Sequence, residues 1–378
     1  MKILHISSVK VDYPGGTEKV IWEIARRQAR SNEVTILQTN LYQEKEPFKR
    51  EEIREKIRIV TCKNDYFLGG FGYSSEFKGK LKEIYKDFDV VHIHGHGRFT
   101  SNFAMGFLDG KKPFVYSAQG FFHNKKNNFF KKMYDFLFRR RLRKASFCTA
   151  LTELERVKLV SLGVDERKTE VIPGGINLKR FNVKINRDKL RSKYLGKRKN
   201  KKTLLYVGRI HESKGIQHVI DAIEGLDVNF LIVGRDAGFE DSLKKRAKER
   251  KVGGKVKFLG GVTDEELFKL YKISDLFVLY SDWEGFGLVV IEAMAGGLPV
   301  IGSDKGALPL LIKNDFNGYI AHNEEELMDK IKILTGDEKL RSRLSRNSLA
   351  FAKDFDWDNI SVEHFKLYKT ALRDFHEK

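Results

Sequence analysis

Two doubly wound α/β domains are predicted by three features of this 378-residue sequence. Short apolar strands alternate with amphipathic helices along most of the chain, the pattern of parallel sheets covered by helices. The alternation stops once, at a loop marked by Pro and Gly (Val171–Phe181) and a polar basic stretch ending at Lys202, and then resumes. The length suits two ordinary domains, and 41% hydrophobic with 12% aromatic residues can fill two cores, which excludes bulk disorder.

In chain order, the apolar runs Ile3–Ser7, Val34–Thr39, Ile57–Val60, Val90–His94, Phe114–Ser117 and Phe147–Leu151 read as strands of the first half. Val20, Ile21, Ile24 and Ala25 fall on one face of its first helix. The second half is cleaner. Its strands are Leu204–Val207, Phe230–Val233, Val256–Leu259, Leu276–Tyr280 and Pro299–Gly302. Between them lie helical stretches at Ile216–Leu226, Asp241–Lys251, Asp264–Ser274 and Leu288–Ala295. No short-period repeat joins the halves, so they share architecture only. The tail, Trp357–His376, reads as a helix with Val362, Phe365, Leu367, Tyr368 and Leu372 as apolar positions. The expected division is 1–173, 174–356 and a tail helix, 357–378. Ligands of open α/β sheets bind outside the carboxyl ends of the strands, so two such domains should face each other across a ligand cleft.

The net charge of +20 is local. Lys125–Lys144 holds nine Lys/Arg and one Asp, and Val183–Lys202 holds ten and one Asp, so these two patches carry 17 of the 20 charges. In the first patch Phe129, Phe130, Met133, Tyr134, Leu137 and Phe138 interleave with Lys131, Lys132 and Arg139–Arg141. A basic amphipathic helix of this kind suits an anionic membrane surface, and equally a core helix with a solvated basic face. No RNA-binding signature accompanies it, so nucleic acid is not expected as a partner. No apolar run approaches the roughly 18 residues of a membrane span, and the amino end lacks a signal-peptide pattern. Cys62 and Cys148 match neither a zinc spacing nor a disulfide framework. A cytoplasmic location, with peripheral contact at the inner membrane face, is the simplest expectation.

The chemistry concentrates in Asp282-Trp-Glu-Gly-Phe-Gly-Leu-Val-Val-Ile-Glu292, where a buried strand gives way to a helix expected from about Phe286. Gly285 and Gly287 allow close backbone approach, and the new helix offers free N–H groups and a positive dipole end. Glu284 and Glu292 can accept hydrogen bonds from hydroxyls. Hydroxyl acceptors beside an anion-friendly helix end suit a ligand with both sugar and phosphate, although acids near helix starts are common in themselves. Arg209 at a strand end and Lys214 five residues on can converge on one pyrophosphate, the first as a fork and the second as a point charge. Gly15 and Gly16, between the first strand and helix, form neither a dinucleotide fingerprint nor a P-loop. His92, His94 and His96 alternate and would share a strand face. With no acid or cysteine nearby, hydrogen bonding or packing is expected of them, and no metal.

Taken together, the chain resembles the family-four retaining glycosyltransferases of the GT-B fold, with two facing Rossmann-like domains. The residues that carry the resemblance are Gly15-Gly-Thr-Glu18, Asp89-Val-Val-His-Ile-His94, Val171-Ile-Pro-Gly-Gly-Ile-Asn177, Val207-Gly-Arg-Ile210 with Lys214-Gly215, and Glu284-Gly-Phe-Gly-Leu288 through Glu292. The resemblance implies an acceptor-binding first domain and a donor-binding second. Arg209 and Lys214 should hold the donor diphosphate, with Glu284 as the third catalytic residue. Glu284 and the backbone of Phe286, Gly287 and Leu288 should hold the transferred sugar, and Glu292 the ribose. Gly15 and Gly16 should approach the donor phosphates, and the tail helix should cross back to the first domain. Such enzymes generally need no metal or other cofactor, since Arg and Lys offset the leaving charge. Two positions depart from the pattern: Gln119 stands where relatives usually have His, and Leu310 follows Pro309 where relatives often have an acid. Gln119 can hydrogen-bond a sugar hydroxyl but carries no charge.

The expectation is therefore a retaining hexosyltransferase-like enzyme that uses a UDP-, GDP- or other nucleotide diphosphate sugar. Its acceptor would be a hydroxyl, lipid-linked or membrane-associated, reached at an anionic surface through Lys125–Lys144. The rivals are a nucleotide-sugar epimerase or hydrolase of the same fold and, from another class, a basic nucleic-acid-binding protein.

Overall fold

A computed structural model describes residues 1–13, 15–40, 48–68, 71–119 and 138–377. These fall into two compact units, Met1–Gly175 with Trp357–Lys378, and Ile176–Asp356. The first contains β1 (Lys2–Ile6), α1 (Gly16–Gln28), β2 (Glu33–Thr39), β3 (Glu51–Arg54), β4 (Ile57–Cys62), β5 (Tyr66–Leu68), β6 (Phe71–Tyr73) and α2 (Ser75–Ile84). After these come β7 (Val90–His94), α3 (Phe99–Leu108), β8 (Phe114–Ser117), α4 (138–142), β9 (Phe147–Ala150), α5 (Glu153–Ser161) and β10 (Thr169–Val171).

The main sheet of this unit runs β10-β9-β8-β7-β1-β2-β4-β3, parallel except for β3. Alternation along the strands assigns its faces. Leu4, Ile6, Val91 and Ile93 join one core with Phe77 and Leu81 of α2, Met105 of α3 and Leu142 of α4. Ile3, Val34, Ile36 and Val90 join the other, with Ile21 and Ala25 of α1. The pleat therefore turns His5, His92 and His94 toward this second face, at positions where an apolar residue is ordinary. The strands β3, β5, β6 and β10 are among the elements not read from the sequence. β3 is a polar edge strand whose Glu55-Lys56 turn has positive φ at both residues, without the Asn-Gly or Asp-Gly that signals such a hairpin. The β5–β6 ribbon is only three residues a side.

The second unit contains α6 (Arg187–Leu195), β11 (Thr203–Val207), α7 (Ile216–Ala222), β12 (Asn229–Val233), α8 (Glu240–Glu249), β13 (Val256–Phe258), α9 (Asp264–Ile273) and β14 (Leu276–Leu279). It continues with α10 (Leu288–Ala295), β15 (Val300–Ser303), α11 (Leu308–Leu311), β16 (Gly318–Ala321), α12 (Glu324–Gly336) and α13 (Glu338–Ala352). Its sheet, β13-β12-β11-β14-β15-β16, is wholly parallel. Its strand interiors are buried, as expected for a sheet with helices on both faces. The tail helix α14 (Trp357–His376) packs on the first unit. Tyr368 and Ala371 enter the core shared with α1, Trp357 is buried, and Asp358 accepts from Arg27 Nε at 2.7 Å. Val362, one of the apolar positions of this helix, faces solvent.

Candidate functional site

At the carboxyl edge of the second sheet, β11 ends in Gly208 and Arg209, a single 3₁₀ turn brings Lys214 round, and Gly215 enters α7. Gly215 has φ +69°, and a Cβ there would lie 1.8 Å from the Tyr280 carbonyl oxygen, so only glycine lets this turn lie against the end of β14. Asp282 N–H then donates to the Ser213 carbonyl at 2.9 Å. These contacts place Lys214 against the loop after β14. Its Nζ lies 2.9 Å from Glu284 Oε2, and both side chains are four-fifths buried. The backbone of Glu284 is gripped from β15, since Ala307 N–H donates to its carbonyl at 2.8 Å, and a Cβ on Gly306 would lie 2.2 Å from that oxygen. Tyr206 marks where Arg209 joins them. Its hydroxyl donates to the Arg209 carbonyl at 2.8 Å. Burial raises its phenol far above the ordinary range, the Glu284 charge adds to the shift, and Arg209 opposes it. Arg209 itself is exposed and forms no ion pair among the described residues.

α10 begins at Leu288, two residues later than expected, because Phe286 turns inward to 6% exposure and packs its ring against Phe355. Gly287 caps the helix at φ +96°. The N–H groups of Phe286, Gly287 and Leu288 meet no backbone acceptor among the described residues, which leaves them available to an anion or hydroxyl. Gly285 has open space around it. One turn into α10, Glu292 is 5% exposed and accepts from Tyr271 Oη at 3.2 Å. Burial, and then the Glu292 charge, push the Tyr271 phenol well above its usual range, so it stays a donor. Arg209, Lys214 and Glu284 thus form one group, while Glu292 sits apart on its own partner. Leu310, in α11, is exposed.

The first unit carries a separate polar pocket of about 140 Å³ at the carboxyl edge of its sheet, lined by Ser7, Ser8, Thr17, Glu18, His94, His96, Arg98 and Gln119 among others. Gly15 and Gly16 do not line it, although the next two residues do. The Glu18 carboxyl folds back over Gly15, and burial raises its pKa. Gln119, at φ +46°, donates from Nε2 to His94 Nδ1 at 3.2 Å. His94 Nε2 meets His5 Nδ1 at 2.9 Å, and His5 Nε2 meets Gln28 Oε1 at 2.9 Å. With neutral rings the protons run one way, from Gln119 through His94 and His5 to Gln28. His92 bonds Tyr368 Oη at 2.5 Å and Ser117 Oγ at 2.6 Å. The rings are neutral because burial lowers all three: His5 to about 4, His92 and His94 well below the usual value. His5, His92 and His94 come close enough to suggest a metal site, but all six ring nitrogens already have hydrogen-bond partners. His96 lies beyond the strand and packs edge-on against Phe138. Most of the basic helix expected at Lys125–Lys144 lies outside the described residues. Within the described part, Phe138 and Leu142 are buried while Arg140, Arg141, Arg143 and Lys144 are exposed.

Family models now account for nearly the whole chain: "Glycosyl transferases group 1" matches residues 187–350 and "Glycosyltransferase Family 4" matches 14–180. The chain belongs to the group 1 glycosyl transferases. This is a family of sugar-transferring enzymes, and the two Rossmann-like units place the chain in its GT-B fold class. Among curated relatives, an uncharacterized glycosyltransferase of Methanocaldococcus jannaschii is 32% identical over 216 residues, 55% of each chain. An Escherichia coli UDP-Gal:alpha-D-GlcNAc-diphosphoundecaprenol alpha-1,3-galactosyltransferase is 28% identical over 284 residues, 72% of each. The match thus spans about half the length of the methanogen protein. Among solved structures, Anabaena Alr3699/HepE in complex with UDP superposes with a TM-score of 0.81 at 20% identity, covering 98% of this chain and all of that one.

For this glycosyl transferase, sequence reasoning missed Tyr206, Tyr271, Gly306 and His5. A tyrosine in a buried run reads as core, so Tyr206 and Tyr271 left no separable signal. His5 did leave one: it breaks the apolar run Ile3-Leu4-His5-Ile6 of a strand that pairs with β7 in the register His5–His92.

Proposed function

We propose that this chain is a retaining glycosyltransferase that moves a sugar from a UDP-, GDP- or other nucleotide diphosphate sugar to a hydroxyl acceptor. We further propose that the acceptor is lipid-linked and met at an anionic membrane face, with the basic segment 125–144 as the contact. The observation that carries the reading is the Lys214–Glu284 pair at 2.9 Å, beside an unpaired Arg209 and the open N-terminus of α10. In this reading Arg209 and Lys214 bind the diphosphate and offset its charge as it leaves, so the reaction asks for no metal or other cofactor. Glu284 and the N–H groups of Phe286, Gly287 and Leu288 hold the transferred sugar, and Glu292 holds the ribose. In the first unit Gly15, Gly16 and Gln119 contact the substrates. Retention rests on the resemblance of the Glu284–Glu292 motif to that of the retaining family. UDP in the Anabaena structure supports the donor class, and the lipid diphosphate named for the Escherichia coli relative supports the acceptor class.

Two isosteric changes test the roles. Glu284→Gln keeps the size and removes the charge facing the sugar, so kcat should fall, about tenfold per 1.4 kcal/mol lost, with donor KM little changed. Glu292→Gln should mainly raise donor KM and weaken free nucleotide diphosphate as well. Equal weakening of nucleotide diphosphate by both variants would show that the two roles are wrongly assigned.

A further inference from the structure

At the amino edge of the second sheet, opposite to the Glu284 loop, lies a pocket of about 240 Å³ that the transfer reaction does not use. Its wall includes Arg187, Lys202 just before β11, Lys272 in the last turn of α9, Gly296 and Gly297 after α10, and Arg341 with Ser342 and Ser345 on the first turns of α13. Two acids, Asp275 and Glu338, also line it. Asp275 is already neutralised: Arg187 reaches it at 3.1 Å, Arg191 at 3.2 Å, and Thr203 N–H donates to it at 2.8 Å. Glu338 is 4.0 Å from Arg341, whose Nη1 donates to the Leu334 carbonyl at 2.8 Å.

The two lysines are different. Among the described residues the ammonium groups of Lys202 and Lys272 make no hydrogen bond or ion pair. Both are half-buried. Lys272 stands in the last turn of α9, where the helix dipole favours a cation, yet no carbonyl accepts from it. Burial alone lowers its pKa, the sign of an ammonium that has lost water without gaining a partner. Half-buried charges are ordinarily paired, so two that share one pocket unpaired call for a mobile counter-ion.

We propose that this pocket binds a phosphate dianion, free or as a small phosphomonoester, held by Lys202 and Lys272 with Arg341 and the Ser342 hydroxyl beside them. Four cations against two acids leave the wall net positive by two, which matches the charge of a phosphate near neutral pH. The volume lies below the roughly 300–1,000 Å³ of drug-sized sites, which suits a small anion and leaves out a whole nucleotide sugar. The site is distinct from the proposed donor site, since the two lie at opposite ends of the parallel strands.

The test is calorimetric titration of inorganic phosphate into the full chain carrying Arg209→Ala and Lys214→Ala, which removes competing diphosphate contacts. Ionic strength is held constant with potassium chloride. Saturable binding is expected, weakened at least tenfold when Lys202→Ala and Lys272→Ala are added. Lys272→Arg, which keeps the charge, should retain binding and controls for misfolding. Glucose 6-phosphate forms the second arm: tighter binding than phosphate assigns the pocket to an ester, and equal binding assigns it to the free anion. Absence of saturable phosphate binding, or an affinity changed less than twofold by the two lysine substitutions in a folded chain, overturns the proposal.

Discussion

Acid should unfold the first unit through its buried histidines. His5, His92, His94 and His364 are all at 3% exposure or less, and burial is the leading cause that keeps each ring neutral. His5 is held at about 4 and His364 at about 3, against 6.5 when exposed. In the unfolded chain these rings take up protons as pH falls below about 6.5, while in the folded chain they do not. The unfolded state then binds more protons, so stability is fully present above that pH and drains away as pH falls toward the folded values. Each ring in this window costs about 1.4 kcal/mol per pH unit, so four cost about 5.6 kcal/mol per pH unit, and a drop of one unit takes away an amount comparable with the whole stability of a domain. His364 isolates one share of this. Among the described residues neither of its ring nitrogens has a hydrogen-bond partner, so His364→Leu removes a titrating group without orphaning another there. Urea unfolding can be followed by the fluorescence of Trp22 and Trp357 in a Trp283→Phe background, which silences the second unit. Between pH 6.5 and 5 the wild-type unfolding free energy should fall steeply, and the His364→Leu slope should be shallower by about 1.4 kcal/mol per pH unit. A flat profile, or identical slopes, would refute the assignment of buried neutral rings.

Arg209→Ala and Lys214→Ala should each weaken donor binding and slow transfer, through loss of a charge-assisted contact worth about 1.5–3 kcal/mol. The Lys214 change should also cost melting temperature, because it strands the part-buried Glu284, whereas exposed Arg209 should not; donor titration and thermal melts of both check this. Replacing Arg139, Arg140 and Arg141 by Ser should lower binding to anionic vesicles, at about 1 kcal/mol per basic residue near the surface, with little change in melting temperature. A wild-type chain that ignores such vesicles at low salt ends the membrane reading.

Much of the fold was legible because parallel sheets write long apolar runs into the chain, and β11, β12, β14 and α14 fall within a residue or two of where those runs sit. What escaped was held by tertiary structure. β3 carries no β-branched run apart from Ile53, which is 79% exposed, and it exists because β4 offers it an edge. α10 starts late because Phe286 is more valuable in the core than in a helix turn. The histidines were legible as an alternating set but not as a cluster, since His5 enters only through the β1–β7 register. The role of His92 on Tyr368 could not be read at all, because it joins residues 276 apart in the chain.

The largest change in meaning concerns Lys214 and Glu284. Read along the chain they have separate duties, a cation for the diphosphate and an acid for the sugar. In the folded unit they neutralise each other, and Gly215, Gly306 and the Ser213–Asp282 backbone contact fix that geometry. A donor entering this edge would therefore meet a pre-paired lysine and Arg209, which makes no ion pair among the described residues. In the proposed reading, binding would be an exchange in which phosphate oxygens compete with Glu284 for Lys214, and the carboxylate would turn toward the sugar only as the diphosphate is engaged. On this argument the charge of Glu284 becomes available where positive charge develops on the sugar, and it stays screened when the site is empty.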